Sequence, residues 1–494
     1  MQPKRKLIFR ETSAVAALLV ALLAGIGAAN GSAQAQLRPA VRAEIAPAPA
    51  NAPVAGDVRV SGAQPVTLTM QQAVEIALEK NPLRKAALAE QKAAAAGIRE
   101  ARSSLLPHIR LSETITDGND PVYAFGTRLR QGRFRELDFS VERLNHPDPI
   151  GNFGTRFGGE WNLFDSFASW AKIRQANRMR DAASQHLARN DQETVLRAIT
   201  AYYGLLLAQK QLQLAQETVK TSGAILKSTK ARYDAGLVVE SDYLSSEVND
   251  ASRRQELIRA TNNVSLARAQ LANALGVPAD LGYAPTEVLA ERNLPQVPLE
   301  NAEKQALENR PDLKQIQLQE AAQGEGVRAA RSAFGPRINA FGSWGLDNPS
   351  LFGGEGGKNW TAGLELQLDL FTGGAKSAQL AREKALQERI AAMREAAVNN
   401  VRLDVQRAWY DADASRQQLE VAHASIAQSE ETLRISHNRY GAGLTTITEL
   451  LRAEEAARRS RTDYWQAVYN YQTAFANLQL AMGMLNAQSP VVTQ

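Results

Sequence analysis

One pattern is written twice in this chain, and that limits its fold more than any other feature. GIREARSSLLP (97–107) and GVRAARSAFGP (326–336) share Gly, Arg, Ala, Arg, Ser and Pro at the same internal positions. ALEKNP (77–82) and ALENRP (306–311) stand at the same separation of 229 residues, as do Pro107 and Pro336. Further on the separation is 207: WNLFDSF (161–167) with LDLFTGG (368–374), AYYG (201–204) with AWYD (408–411), RYDAGL (232–237) with RYGAGL (439–444), and AQLANALG (269–276) with ANLQLAMG (476–483). The drop from 229 to 207 gives the first copy 22 additional residues between Pro107 and Leu163. The period is too long for a solenoid, so the chain reads as one whole unit duplicated.

Around the two copies the organisation is as follows. Lys4, Arg5, Lys6 and Arg10 precede an apolar stretch (13–29) and Ala33-Gln34-Ala35, a small-x-small cleavage site. Residues 1–35 are therefore expected to be a secretory signal. No Cys follows, so no lipidated N-terminus is expected. Residues 36–65 form an Ala/Pro-rich extended leader, 66–283 the first repeat, 284–294 a connector, 295–485 the second repeat and 486–494 a tail. Removing the signal leaves a net charge of +2 out of the full chain's +5, with both signs scattered. That gives no case for a nucleic-acid partner. With 0 cysteines, neither disulfides nor thiolate metal sites are available. Beyond the signal there is no apolar run long enough for a membrane helix.

Each repeat has the same grammar. A short helix (70–80; 299–309) comes first. Asn81-Pro82 and Arg310-Pro311 restart a second helix with Pro in its first turn, where a missing N–H costs nothing. Pro107 and Pro336 end that helix and mark helix-to-strand transitions. Alternating segments follow. Ile338, Ala340, Gly342 and Trp344 share a face, as do Trp360, Ala362, Leu364, Leu366, Leu368 and Leu370; Phe153, Phe157, Trp161 and Leu163 oppose Arg156, Glu160 and Asn162. Ile109, Leu111 and Ile115 repeat the pattern with Glu113 on the apolar face. This predicts strand hairpins over 108–165 and 337–371, read either as half-buried strands of a soluble sheet or as outer-membrane barrel strands.

Long helices come next. Leu205, Leu212, Val219, Leu226 and Tyr233 recur every seven residues, with Ala208, Ala215, Ser222 and Thr229 beside them. Ala412, Leu419, Ile426, Leu433 and Tyr440, with Ser415, Ala422, Ser429 and Ser436, repeat this in the second copy. A strict seven-residue period imposes a left-handed supercoil. A helix over 168–233 is roughly 100 Å long at 1.5 Å per residue. Gly236 and Gly443 reverse the chain at the two tips by supplying the left-handed cap.

Four strands per chain cannot close a barrel, and an open edge in lipid leaves backbone groups unsatisfied. Strands placed in a membrane therefore demand an oligomer. The ordered set of LTMQQAVEIALEKNP, the proline-ended helices, LFD before the long helix and RYxAGL at both tips resembles TolC-type outer-membrane efflux channels over nearly the whole chain. The resemblance implies an α+β membrane protein: a homotrimer with a 12-stranded β-barrel, four strands per chain, continued by a long α-helical coiled-coil barrel in the periplasm. It implies a passive exit duct in the bacterial outer membrane, for efflux or type I secretion, opened by a periplasmic adaptor (membrane fusion) protein and energised by an inner-membrane transporter.

The resemblance also carries site residues. Tyr233, Asp242, Tyr440 and Glu449 match the periplasmic gate, and alanine at Tyr440 and Glu449 is expected to raise conductance. Arg232, Gly236, Leu237, Arg439, Gly443 and Leu444 match the adaptor-contact tips. The family's Gly pair after LFD is kept as Gly373-Gly374 but replaced by Ser166-Phe167, so the strand-to-helix turn is expected to differ in the first copy. Thr445 and Arg452 depart from the family's basic and acidic residues near the second tip.

Other motifs weigh less. GGAKS (373–377) lacks the spacing of a phosphate loop, and the five histidines have no metal-ligand spacing. No cofactor is expected, and no acid, base and nucleophile converge as an enzyme requires. RLRQGRFRE (128–136) is read as a solvated hairpin or, facing outward, as a contact for anionic outer-membrane lipid. The alternative to a duct is a non-pore periplasmic coiled-coil adaptor or scaffold, which leaves the amphipathic strand pairs unexplained. Cargo is not legible.

Overall fold

A computed structural model describes residues 66–278, 282–351 and 356–493. The expected signal and leader (1–65) lie outside the described residues. The path begins with β1 (Val66–Leu68), α1 (Met70–Lys80) and α2 (Pro82–Ser103). Thr69 caps α1 reciprocally: its hydroxyl accepts from the Gln72 N–H at 3.2 Å, and its own N–H donates to Gln72 Oε1 at 3.0 Å. Asn81 then starts α2, accepting from the Leu83 N–H at 2.9 Å with Pro82 in the first turn.

After β2 (His108–Gly118) the chain makes α3 (Pro121–Arg130), a 3-10 turn (Glu136–Phe139) and α4 (Val141–Asn145). It returns as β3 (Ile150–Phe164). Two long helices follow, α5 (Ala168–Asp234) and α6 (Glu240–Leu275). The second copy repeats the order: β4 (Tyr283–Pro285), α7 (Leu299–Asn309), α8 (Pro311–Ser332), β5 (Arg337–Asn348), β6 (Gly357–Gln367), α9 (Ala375–Gly441), α10 (Ile447–Ala481) and α11 (Pro490–Thr493). Both α5 and α9 have 67 residues, roughly 100 Å of helix.

The seven-residue rows become helix–helix contacts in part, with Ile225 buried in place of its row neighbour Leu226 and Tyr233 left exposed. Ser222, Ile225 and Thr229 are buried on α5, and Ala412, Leu419 and Tyr440 on α9. Ser222 also donates to the buried carboxylate of Asp250 on α6 at 2.7 Å, which Arg254 pairs from outside. Among the described residues no helix is long and apolar enough to cross a membrane.

The largest core lies where the two hairpins meet the short elements. Tyr202 and Tyr203 are fully buried there, donating to the carbonyls of Leu68 (3.0 Å) and Val491 (3.2 Å). The core also absorbs segments without sequence periodicity. Tyr283–Pro285 pairs in parallel with Val66–Leu68, Leu289 and Leu294 of the connector are buried, and so are Val491 and Val492 near the C-terminus. Gly276 and Gly483 end α6 and α10 with φ of +70° and +73°; a side chain at either would strike the backbone of Asn81 or Arg310.

The four longer strands form one antiparallel sheet in the order β2-β3-β5-β6. Its registers give it two unlike faces. Ile109, Leu111, Ile115, Phe153, Phe157, Trp161, Ile338, Ala340, Trp344, Leu346, Trp360, Leu364 and Leu366 share one face. Arg110, Ser112, Thr114, Asn152, Arg156, Glu160, Asn339, Ser343, Asp347, Asn359, Thr361 and Glu365 share the other. On the apolar face Ile109 is 80% exposed, Trp360 76%, Leu364 71% and Leu366 70%. Glu113 is accommodated there by its cross-strand partner Thr155, whose hydroxyl donates to it at 2.5 Å.

The strand-to-helix turns do not differ as expected. Ser166 (φ 56°) and Phe167 (φ 69°) take the same left-handed path as Gly373 (φ 60°) and Gly374 (φ 83°). The Ser166 hydroxyl donates to the carbonyl of Pro336 at 2.7 Å, and Phe167 packs edge-on against Phe164 at 5.5 Å. These contacts offset a backbone cost of about 1–2 kcal/mol per residue.

Candidate functional site

The two helical hairpins end in equivalent tips. At the first, the Gly236 N–H donates to Tyr233 O and the Leu237 N–H to Arg232 O, both at 2.8 Å. At the second, the Gly443 N–H donates to Tyr440 O at 3.1 Å and the Leu444 N–H to Arg439 O at 2.8 Å. Gly236 (φ +70°) and Gly443 (φ +72°) permit this closure. Beyond each glycine an apolar side chain points outward: Leu237 is 74% exposed and Leu444 68%.

The aromatic residues of the two tips are treated differently. Tyr440 is buried with Ile225 of α5 and Ile447 and Leu450 of α10. Its hydroxyl lies 3.4 Å from that of Thr229. Tyr233 stays exposed and stacks on Tyr243 of its own hairpin at 5.7 Å. Asp242 sits in the first turn of α6, where a carboxylate suits the helix dipole. Glu449 is exposed in the first turn of α10 and pairs with Arg452 at 2.8 Å. So the four gate candidates do not converge within one chain.

What joins the tips is Arg232. Its guanidinium donates to the carbonyls of Tyr440 and Gly441, each at 3.1 Å, and lies over the Tyr440 ring at 4.9 Å. These carbonyls end α9, so the cation meets the negative end of that helix. Its counterpart Arg439 is exposed. Further from the tip, Arg253 of α6 pairs with Glu455 of α10 at 3.0 Å and with Glu256 at 3.0 Å, while Arg458 holds Glu455 at 2.5 Å. Burial raises the carboxyl pKa of the adjacent Glu454, against the pull of Arg253. Sequence reasoning missed this second tie, because Arg and Glu three residues apart is ordinary surface spacing.

Pro107 and Pro336 are both exposed at the helix–strand junctions. RLRQGRFRE is not a plain hairpin. Arg128 and Arg130 lie in α3, and Arg128 is paired to Asp138 inside the folded segment. Among the described residues no group of His, Asp and Glu is placed to hold a metal.

The chain thus presents two long helical hairpins tied near their tips and a sheet with one apolar and one polar face. The chain belongs to the outer membrane efflux protein family, whose profile matches residues 73–277 and 303–484. It is 24% identical to outer membrane protein TolC of Escherichia coli, covering 85% of this chain and 83% of that one. It is 22% identical to the alkaline protease secretion protein AprF of Pseudomonas aeruginosa, covering 83% of each. Its fold matches the CmeC outer membrane channel of Campylobacter jejuni with a TM-score of 0.72 at 18% identity, over 85% of this chain and 87% of that one. The relatives are outer-membrane efflux and secretion channels, and this chain is an outer-membrane channel protein of the same family.

Proposed function

We propose that three copies of this chain close a twelve-stranded barrel in the outer membrane and continue it as a helical tunnel through the periplasm. The observation that carries this reading is the sheet. Its apolar face is exposed, its polar face lies opposite, and among the described residues β2 and β6 each keep one unpaired edge. Leaving a large apolar side chain in water forgoes about 1.5–3 kcal/mol, and lipid removes that cost only if the edges are paired. Pairing β6 of one copy with β2 of the next satisfies both and turns the polar face into a wet lumen. A non-pore scaffold would leave the apolar face in water.

In this reading the signal is removed on export, after which the leader, connector and tail flank the two repeats. The repeats serve ring closure, since six similar units complete what one copy cannot. The duct is passive. Its periplasmic end is held shut by the Arg232 tie and the Arg253–Glu455 tie, with Tyr440 packed between the hairpins. An adaptor binding Leu237, Leu444 and the neighbouring tip residues would stabilise the separated hairpins. An inner-membrane transporter would supply the energy, in an efflux or type I secretion system. Reconstitution into planar bilayers tests this: discrete ion-conducting steps are expected. A protein that inserts without conducting, even with Arg232 replaced by Ala, would overturn it.

A further inference from the structure

The first strand hairpin carries a segment that the second lacks. Residues 119–149 fold as α3, the 3-10 turn and α4, whereas only residues 349–356 separate β5 from β6. This is a packed module. Phe134 meets Phe125 and Phe139 edge-on at 5.0 Å each, and Asp138 is buried between Arg128 and Arg143. The Arg135 N–H, more than either guanidinium, holds the Asp138 carboxyl below its ordinary pKa.

The module is fixed to the polar face at the hairpin end of the sheet. Gln131, buried at the end of α3, donates from Nε2 to the Gly151 carbonyl (2.8 Å) and to Asn152 Oδ1 (2.9 Å). Asn152 Nδ2 donates to Asp347 Oδ1 at 2.6 Å, and Asn359 Nδ2 to Asp347 Oδ2 at 2.8 Å. Asp347 is fully buried, with Arg156 3.8 Å away. A side chain at Gly357, on the same face of β6, would strike the carbonyl of Arg130, so the bare backbone there leaves room for α3. Tyr123 holds the other end, donating to the Thr116 carbonyl of β2 at 3.1 Å. The module therefore meets β2, β3 and β6, all at the end furthest from the long helices.

We propose that residues 119–149 are a lid inside the outer mouth of the duct, a second constriction that limits the size of solute passing between the lumen and the outside. The proposal rests on the barrel reading, because only ring closure makes the polar face a lumen. A barrel wall does not need a folded module on its inner side. Three such modules, one from each copy, converge on the axis and narrow the exit. The latch is Gln131, whose Nε2 bonds to the Gly151 carbonyl and to Asn152 Oδ1 are made only while α3 stays docked, beside the strand-to-strand knot around Asp347.

The absence of cysteine makes the test direct. Thr361→Cys places an exposed thiol on the polar face of β6, beneath the lid, and Ala362→Cys places one on the apolar face. Intact cells making the full chain are treated from outside with a bulky, membrane-impermeant polyethylene glycol maleimide. Thr361→Cys is expected to react at least tenfold faster when residues 119–149 are exchanged for the eight-residue segment 349–356. It should react several-fold faster with Gln131→Ala, which undoes the latch without touching a strand. A rate that is the same in all three backgrounds, fast or slow, overturns the lid. If it is insensitive while Ala362→Cys stays protected, the barrel stands and only the lid falls. If the two thiols react alike, the sheet is not a barrel wall and both readings fall.

Discussion

Arg232 and Tyr440 are 208 residues apart, yet the guanidinium of the first donates to the carbonyl of the second at 3.1 Å and covers its ring. The contact joins the end of α5 to the end of α9, one helix from each copy of the repeat. If the tunnel opens by separating the hairpins, this contact has to break.

Arg232→Ala is expected to raise single-channel conductance several-fold, because two charge-assisted hydrogen bonds worth about 1.5–3 kcal/mol each are lost per chain. Arg232→Lys should open it nearly as far, since a point cation does not span two carbonyls as a planar fork does. Glu449→Ala should leave conductance near the parent value, contrary to the expectation from resemblance. Among the described residues its carboxylate pairs with Arg452 in an exposed ion pair worth less than about 1 kcal/mol.

The second tie should respond to acid in two steps. Burial raises the pKa of Glu454 above its ordinary 4.5, so its contribution to stability is complete below 4.5 and is lost as pH rises through the raised value. The Arg458 hydrogen bond, against desolvation, lowers that of Glu455; its contribution is present above 4.5 and is lost as pH falls through the lowered value. Melting curves recorded across this window should therefore show stability rising on mild acidification and then falling. Glu454→Gln should remove the rise and keep the fall.

The glycines that end the long helices should separate into two classes. Gly276→Ala and Gly483→Ala should each cost about 2 kcal/mol or more, since both strain and backbone collision apply. Gly236→Ala and Gly443→Ala meet open space at the same sign of φ and should cost about 1 kcal/mol. Denaturant unfolding of the four variants checks the ranking.

Leu237 and Leu444 are exposed and should be dispensable for folding. Replacing both with Glu should shift unfolding by less than about 0.5 kcal/mol and abolish cross-linking to a cognate adaptor. Cross-linking that survives would place docking away from the tips.

Much of the fold was legible because punctuation and period agreed. Pro82 and Pro311 open helices, Gly236 and Gly443 close them, and alternation from Ile338 and from Trp360 marks strands. Other features depended on contacts that local pattern does not encode. Leu289 and Leu294 lie in an aperiodic stretch, and only the surrounding helices decide that they are buried. Ser166-Phe167 adopts a glycine-like path because a hydroxyl reaches the distant Pro336 carbonyl. At the candidate site, the tip turns could be read from RYxAGL, but which of Arg232 and Arg439 crosses between hairpins could not. The two motifs are nearly identical, and the choice is made by how α5 and α9 lie against each other. The lid escaped notice because its docking rests on single polar contacts, Gln131 to Gly151 and Asn152 and Tyr123 to Thr116, that no local period marks.

The central claim is that one chain supplies a third of a closed barrel. The direct test is the native mass of the mature protein extracted from outer membranes in mild detergent. Three chains per particle is the expected result. A monomer or dimer that stays soluble without detergent would contradict it.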